Sequence, residues 1–273
     1  MFAKESVKKK VLYVSSEMAP FLDDSNLANV TRMVPQALQE KDNEIRILVP
    51  KFGVINERRN RLHEVVRLSG INITIDDNDN PLIIKVASVP GTKMQVYFLD
   101  NEDFFQRKNV YNDDEGKFFD DNDERTIFFC KGVMETVKKL GWAPDIIHCS
   151  GWMTSLIPFY LKTTYKNEPV FRNSKVVYSV GSCKEEEGNL GSDFARKASL
   201  NNSDEESVQT FAEGGIPCLN KSAASFADAI VTLDEAGKNS VQEIIDNKPH
   251  MMHDSDACAD KYVTFYESLM AKS

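Results

Sequence analysis

The 273-residue chain is 41% hydrophobic and 27% charged, a balance that fits a folded globular protein and excludes a disordered or fibrous one. Asp and Glu number 42 against 33 Lys and Arg, a net charge of −9, so a general affinity for nucleic acid or an anionic membrane is excluded, because phosphate binding needs a basic face. No apolar run approaches the roughly 18 residues of a membrane span, and residues 1–10 lack the apolar centre of a secretion signal, so the cytoplasm is the expected compartment.

In chain order, residues 11–16 (VLYVSS) form a short β-branched, aromatic run that predicts a buried parallel strand. Leu27, Val30, Val34 and Leu38 then recur at helical spacing, with Asp24 or Ser25 as the cap and Pro35 predicting a kink or restart. Residues 44–49 (EIRILV) complete a βαβ unit. Ile71, Ile73 and Ile75 alternate with polar residues, 76–80 are turn-rich, and 82–86 are apolar again, which predicts a β-hairpin; another strand follows at 94–99. Residues 112–125 read as an acidic, aromatic loop. Residues 126–140 read as a helix with Ile127, Cys130, Val133, Met134 and Val137 on one face, ended at Gly141.

The second half predicts strands at 145–149, 175–180 and 228–233, and helices at 152–165, 222–226 and 235–246. Residues 181–215 read as a long loop with one short helix at most, and 247–255 as a linker. Residues 256–273 form a last amphipathic helix with Ala259, Tyr262, Tyr266 and Leu269 on one face. The alternation implies an α/β fold, a single Rossmann-like doubly wound, mainly parallel sheet with a β-hairpin excursion. In such sheets ligands bind beyond the carboxyl ends of the strands, so the loops after Val14, Val49, His148 and Val180 are the candidate site.

Cys130, Cys149, Cys183, Cys218 and Cys258 are far apart and form no CxxC or Cys/His cluster, so they read as free thiols. Asp76, Asp77 and Asp79 lack the Gly and terminal Glu of a calcium loop and read as a solvated turn. His250 and His253 are too few for a metal site, and Glu185–Glu187 reads as solvated loop. No metal or cofactor is expected, and no phosphate-binding glycine loop or nucleophile elbow is present.

A series of blocks, in order, carries a family resemblance. SSEMAPF (15–21) followed by LANVTRMVPQAL (27–38) resembles the family pattern SEVAPF-x-KTGGLADV-x-x-x-LPKAL. EIRILVPKFGVI (44–55), VYFLDNEDFF (96–105), VYNDDEGKFFDDNDERTIFF (110–129), PDIIHCSGWMTSLIPFYLK (144–162) and FADAIVTLDEAGKNSVQEI (226–244) continue it. Over about residues 8–246 the chain is similar to the first lobe of bacterial glycogen synthases and plant starch synthases. The resemblance implies one lobe of a two-lobe (GT-B type) glycosyltransferase that moves glucose from ADP-glucose to an α-1,4-glucan with retention. CADKYVTFYESLM (258–270) is similar to the helix with which that family's chain returns from its second lobe to pack on the first, and that helix is expected to cover an apolar patch here. The expected organisation is a lobe at 1–246, a linker at 247–255 and a returning helix at 256–273, with the second lobe missing between.

The resemblance also names cleft positions, and several are altered. The Lys and two Gly of KTGGL, which hold and closely approach a diphosphate, fall on Asp23, Ser25 and Asn26. An Asp near a diphosphate is repulsive by about 1–4 kcal/mol at 4 Å, and side chains at glycine positions obstruct backbone approach. The His and Asn of TIHN fall on Gly181 and Ser182. The HDW of the family falls on Ser150, Gly151 and Trp152, while His148 keeps the earlier His. Asn122 and Arg125 match the family's DN-x-x-R. Three positions carry two readings each: His148 is a cleft group or a buried His bonded to backbone; Trp152 is a sugar platform or core; Arg125 faces an acceptor or pairs with Asp121 and Asp123. No residue is assigned a catalytic role. The expected function is a catalytically degenerate homologue that binds or regulates, its partner an α-glucan, a protein or a second copy of the chain. The alternative is a half-site completed by a separate donor-lobe chain.

Overall fold

The protein is described by a computed structural model covering residues 8–22, 25–200, 205–255 and 258–271. Strands β1 (Lys10–Ser15), β2 (Glu44–Pro50), β3 (His63–Glu64), β4 (Ile71–Ile75), β5 (Asn78–Ser88), β6 (Gln95–Asp100), β7 (Ile146–Ser150), β8 (Lys175–Val180), β9 (Ala229–Thr232) and β10 (His250–Met252) order as β10-β9-β8-β7-β1-β2-β6-β5-β3, with β4 pairing β5. From β10 to β6 every pairing is parallel; β5 is antiparallel to its neighbours. Reading β6-β2-β1-β7-β8-β9 gives the doubly wound order, and the direction of winding reverses between β1 and β7. The central parallel strands are buried along nearly their whole length because helices cover both faces.

The helices are α1 (Asn26–Glu40), α2 (Glu57–Asn60), α3 (Glu102–Phe105), α4 (Asn122–Leu140), α5 (Leu156–Lys162), α6 (Phe194–Ala198), α7 (Glu205–Val208), α8 (Ile216–Phe226), α9 (Glu235–Ser240), α10 (Gln242–Ile245) and α11 (Cys258–Met270). Ser25 caps α1, its Oγ accepting from the Ala28 amide at 3.0 Å. The β4–β5 hairpin turns at Asp76 and Asp77, both at positive φ, as a two-residue hairpin turn requires.

The structure corrects several sequence expectations. Helix α1 runs through Pro35 without a restart; burial of Val30, Val34 and Leu38 outweighs the one backbone bond that Pro cannot make. Helix α4 begins at Asn122 rather than 126, because Asp123 and Glu124 suit a helix N-terminus and the side chains of Asn122 and Arg125 point inward. Residues 152–165 are a 3-10 turn at Trp152–Thr154 followed by α5, and 235–246 are two short helices. The 181–215 segment holds α6 and α7 and a 3-10 turn. The 247–255 linker contains β10, three residues on the sheet edge whose half-exposed side chains leave no apolar run to read.

Helix α11 lies on α1, burying Tyr262, Tyr266 and Leu269; Ala259, expected on the same face, is only partly buried. No helix among the described residues is long and apolar enough to cross a membrane.

Candidate functional site

The loops that follow β1, β7, β8 and β9 surround an open cavity of about 610 Å³ at the carboxyl ends of the strands. It lies at the reversal of winding, where the doubly wound fold leaves a crevice because adjacent crossovers go to opposite faces. Glu17, Leu22, Ser25, Asn26 and Leu27 line one side, and Gly181–Glu185 the other. Tyr111, Gly151 and Trp152 complete the wall. A shallower groove of about 960 Å³ runs between α1 and residues 252–255, over the ends of β9 and β10.

Trp152 is 3% exposed. Its ring packs 5.1 Å from Tyr111 and 5.6 Å from Phe118, which joins its two readings: a core aromatic with one edge on the cavity. Tyr111 donates to Glu17 Oε1 at 3.2 Å, and burial together with the Glu17 charge holds its phenol well above the ordinary range. Ser25 Oγ donates to the other Glu17 oxygen while capping α1. Asn26 opens α1 at the cavity rim, and Asp23 lies outside the described residues.

At Gly151 and Gly181, which the motif resemblance aligns with an acid and an imidazole, an added side chain would meet close neighbours. Gly151 has φ +86, and a Cβ there would stand 2.5 Å from Ser16 Oγ and 2.8 Å from Leu27 Cδ2. A Cβ on Gly181 would stand 2.9 Å from Leu233 Cβ, which is tighter than a methylene tolerates. Ser182 is turned to the protein: its amide and hydroxyl donate to Asp234 Oδ2 at 3.0 and 2.7 Å. Against the opposing effect of burial, those bonds and the one from the Gly237 amide hold the Asp234 carboxyl below its usual range. Burial and the neighbouring Glu185 push the Cys183 thiol up to about 12, so it is no nucleophile at neutral pH.

Three motif-matched residues are not in the cleft. Arg125 is completely buried and donates to the Phe104 carbonyl, the Val110 carbonyl and Asn122 Oδ1 at 2.8, 2.8 and 2.5 Å. It neither faces an acceptor nor pairs with Asp121 and Asp123, which take Arg107 and Lys197 instead. Asn122 is equally buried and donates to the Tyr111 carbonyl. These two side chains brace the loop that presents Tyr111. His148 is 1% exposed and bonded to side chains rather than backbone: Nδ1 lies 2.6 Å from the Tyr266 hydroxyl and Nε2 2.6 Å from Ser179 Oγ. Burial pushes its imidazole down to about 3.

Sequence reasoning missed Glu17, Tyr111, Ser179 and Asp234. Glu17 stands inside SSEMAPF and Ser179 in the strand end before Gly181, so position offered a signal for both. Tyr111 and Asp234 reach their places only through the fold. Among the described residues, Asp76 pairs with Arg196, His250 with Thr232 and His253 with Tyr262, and no group of three His, Cys, Asp or Glu is placed to hold a metal.

A Rossmann-like lobe with its crevice at the strand ends, flanked by an antiparallel hairpin, is the architecture of the first half of a GT-B glycosyltransferase. Residues 10–252 match the starch synthase catalytic domain family, and the chain belongs to it. It is 38% identical over 259 residues to a glycogen synthase of Chlorobaculum tepidum, covering 93% of this chain and 51% of that protein. It is 46% identical over 172 residues to a glycogen synthase of Chlorobium luteolum, covering 63% of this chain and 35% of that one. The chain thus spans about half the length, or less, of the curated relatives it matches. The catalytic domain of starch synthase IV from Arabidopsis thaliana, solved bound to ADP and acarbose, superimposes with a TM-score of 0.71 at 18% identity over 92% of this chain and 53% of that one, a likeness of fold.

Proposed function

We propose that this lobe is catalytically silent by itself and serves as a binding module for a short α-glucan. The observation that carries the reading is the cleft at Gly151 and Gly181: it is open, yet the family pattern's acid and imidazole are replaced by glycines at which a side chain would force neighbouring atoms to move. Fold does not confer activity without such groups. Ser25 and Asn26 put side chains where a diphosphate would need bare backbone, and the Glu17 carboxylate lies beside Ser25. These features oppose a nucleotide diphosphate. The Trp152 edge and Tyr111 with nearby polar groups suit a neutral sugar, whose ring presents apolar faces and hydroxyls.

Titration calorimetry with maltotetraose tests binding, and incorporation of glucose from ADP-glucose into glycogen tests silence. Saturable heat without incorporation is expected. No heat at millimolar ligand would remove the glucan. Turnover that appears only in lysate supplying a separate donor-lobe chain would establish the alternative, a half-site completed by another chain, which the open position at the strand ends favours. A protein partner or a second copy on this face would show in light scattering as a defined larger species.

We further infer that α11 is the family's returning helix, since it buries Tyr262, Tyr266 and Leu269 against the lobe. Removing residues 256–273 should uncover that patch and cause aggregation. A truncated protein of unchanged melting point would refute the assignment.

A further inference from the structure

Behind the cleft, four side chains join end to end. Ser179 Oγ meets His148 Nε2, His148 Nδ1 meets the Tyr266 hydroxyl, and that hydroxyl meets the Tyr13 hydroxyl, at 2.6, 2.6 and 2.7 Å. None of the four is more than 3% exposed. The imidazole is stacked between Tyr13, at 4.8 Å and 26°, and Tyr262, at 6.0 Å and 29°, so its plane is fixed. One end of the row, Ser179, lines the cavity; Tyr266 belongs to α11.

A neutral imidazole carries one N–H and one lone pair in its plane, so it can donate to only one of its two hydroxyl neighbours. If Nε2 holds the proton, Ser179 accepts from the ring and its own O–H is available to the cleft. Tyr266 then donates to Nδ1. If Nδ1 holds the proton, Ser179 donates to the ring and turns its lone pairs to the cleft, and Tyr266 donates toward Tyr13. Each hydroxyl can serve in either sense without moving a heavy atom. The two polarities differ at both ends of the row, and no charge is buried in either.

We propose that Ser179 is the cleft's contact for a ligand hydroxyl, and that His148 and Tyr266 are its positioning residues, so that α11 sets whether Ser179 donates or accepts. A hydroxyl ligand suits this contact because it too can donate or accept. The ligand class rests on the glucan reading; the positioning by α11 does not. Whatever fixes the polarity in the cleft is felt at Tyr266 and the reverse, since coupling between two sites is reciprocal.

The test uses the full chain with 15N-labelled imidazoles at neutral pH, together with amide hydrogen exchange over residues 258–270. Ser179→Ala is expected to shift the His148 tautomer ratio and to speed exchange in α11 by at least about threefold. Tyr266→Phe should drive the ring to the Nε2–H form, since an N–H facing the bare phenyl ring would be a buried donor without an acceptor. Tyr262→Phe, on the same helix but bonded through its hydroxyl to His253, should leave the ratio unchanged. Unmoved His148 nitrogen shifts in both Ser179→Ala and Tyr266→Phe, or unchanged α11 exchange in Ser179→Ala, would overturn the proposal. Maltotetraose titration adds the second arm: Tyr266→Phe should change affinity several-fold in the native background and not in Ser179→Ala. Equal effects in both backgrounds would overturn Ser179 as the contact. If the native chain takes up no maltotetraose, the glucan reading fails and the ligand-free arm alone decides the positioning.

Discussion

Two sets of residues entered through the same motif resemblance and ended in different surroundings. Asn122 and Arg125 keep the family's side chains and face inward, where every polar atom of the guanidinium edge meets an acceptor. Gly151, Gly181, Ser25 and Asn26 line the cleft, and by the motif resemblance they stand where the family pattern has an acid, an imidazole and two glycines. The inward set holds the loop carrying Tyr111 in place; the cleft set faces the open cavity. A buried Arg cannot be exchanged without stranding its acceptors, whereas the cleft positions are held by local packing and capping: a Cβ at Gly181 would crowd Leu233, and Ser25 caps α1. Matching a motif therefore identified the fold from both sets and a chemistry from neither.

The comparison can be broken at several points. Arg125→Met should be the most damaging change, leaving two carbonyls and an amide oxygen without donors in a dry site; a loss of about 3–5 kcal/mol in urea denaturation is expected. A loss under about 1 kcal/mol would show that the inward set is dispensable.

Acid should act next, through His148. Its folded-state value of about 3 lies below the ordinary 6.5, so the unfolded chain takes up the proton first. The stability linked to it is complete above the ordinary value and falls as pH drops from there toward 3, by about 1.4 kcal/mol per pH unit for one such group. His250 and His253 are also held low by burial and act in the same direction. Denaturation midpoints at pH 7.5, 5.5 and 4.5 (roughly spanning that window) should decline, and His148→Gln should flatten the decline. An equal slope in that variant would place the titration elsewhere.

Placing the family pattern's His at position 181 sharpens the contrast from the other direction. Gly181→His should cost about 1–3 kcal/mol because its Cβ meets Leu233, and glucosyl transfer from ADP-glucose should stay absent. A stable variant with measurable transfer would reveal a cleft one residue away from activity. The smallest effect is expected at Ser25: replacement by Gly should cost only a few tenths of a kcal/mol and by Ala about 1 kcal/mol, as for a helix N-cap. Equal losses for the two would mean that the bond to Glu17, rather than the cap, is what Ser25 contributes.

The parallel strands were legible because a strand buried on both faces is mostly apolar and β-branched, as KVVYSV and VLYVSS are but for a few polar residues. The hairpin was legible from the alternation of Ile71, Ile73 and Ile75. Strand β10 was not, since three half-exposed edge residues need no apolar pattern. In the site, the position of the cleft followed from strand order alone. The direction of each side chain did not: Arg125 beside Asp121 and Asp123 suggests a local ion pair, yet Arg107 and Lys197 arrive from elsewhere in the chain to take those acids.

By itself, then, the sequence determined an α/β lobe of the starch synthase family and the end of the sheet at which the open cavity lies. Those are consequences of periodicity and residue identity, which are local. Only the tertiary structure decided that His148 is sealed between two tyrosines, that Tyr266 of the last helix reaches it, and that a Cβ at Gly181 would crowd Leu233. Each of those depends on atoms brought together from segments far apart in the chain, and distance along a sequence carries no measure of distance in space.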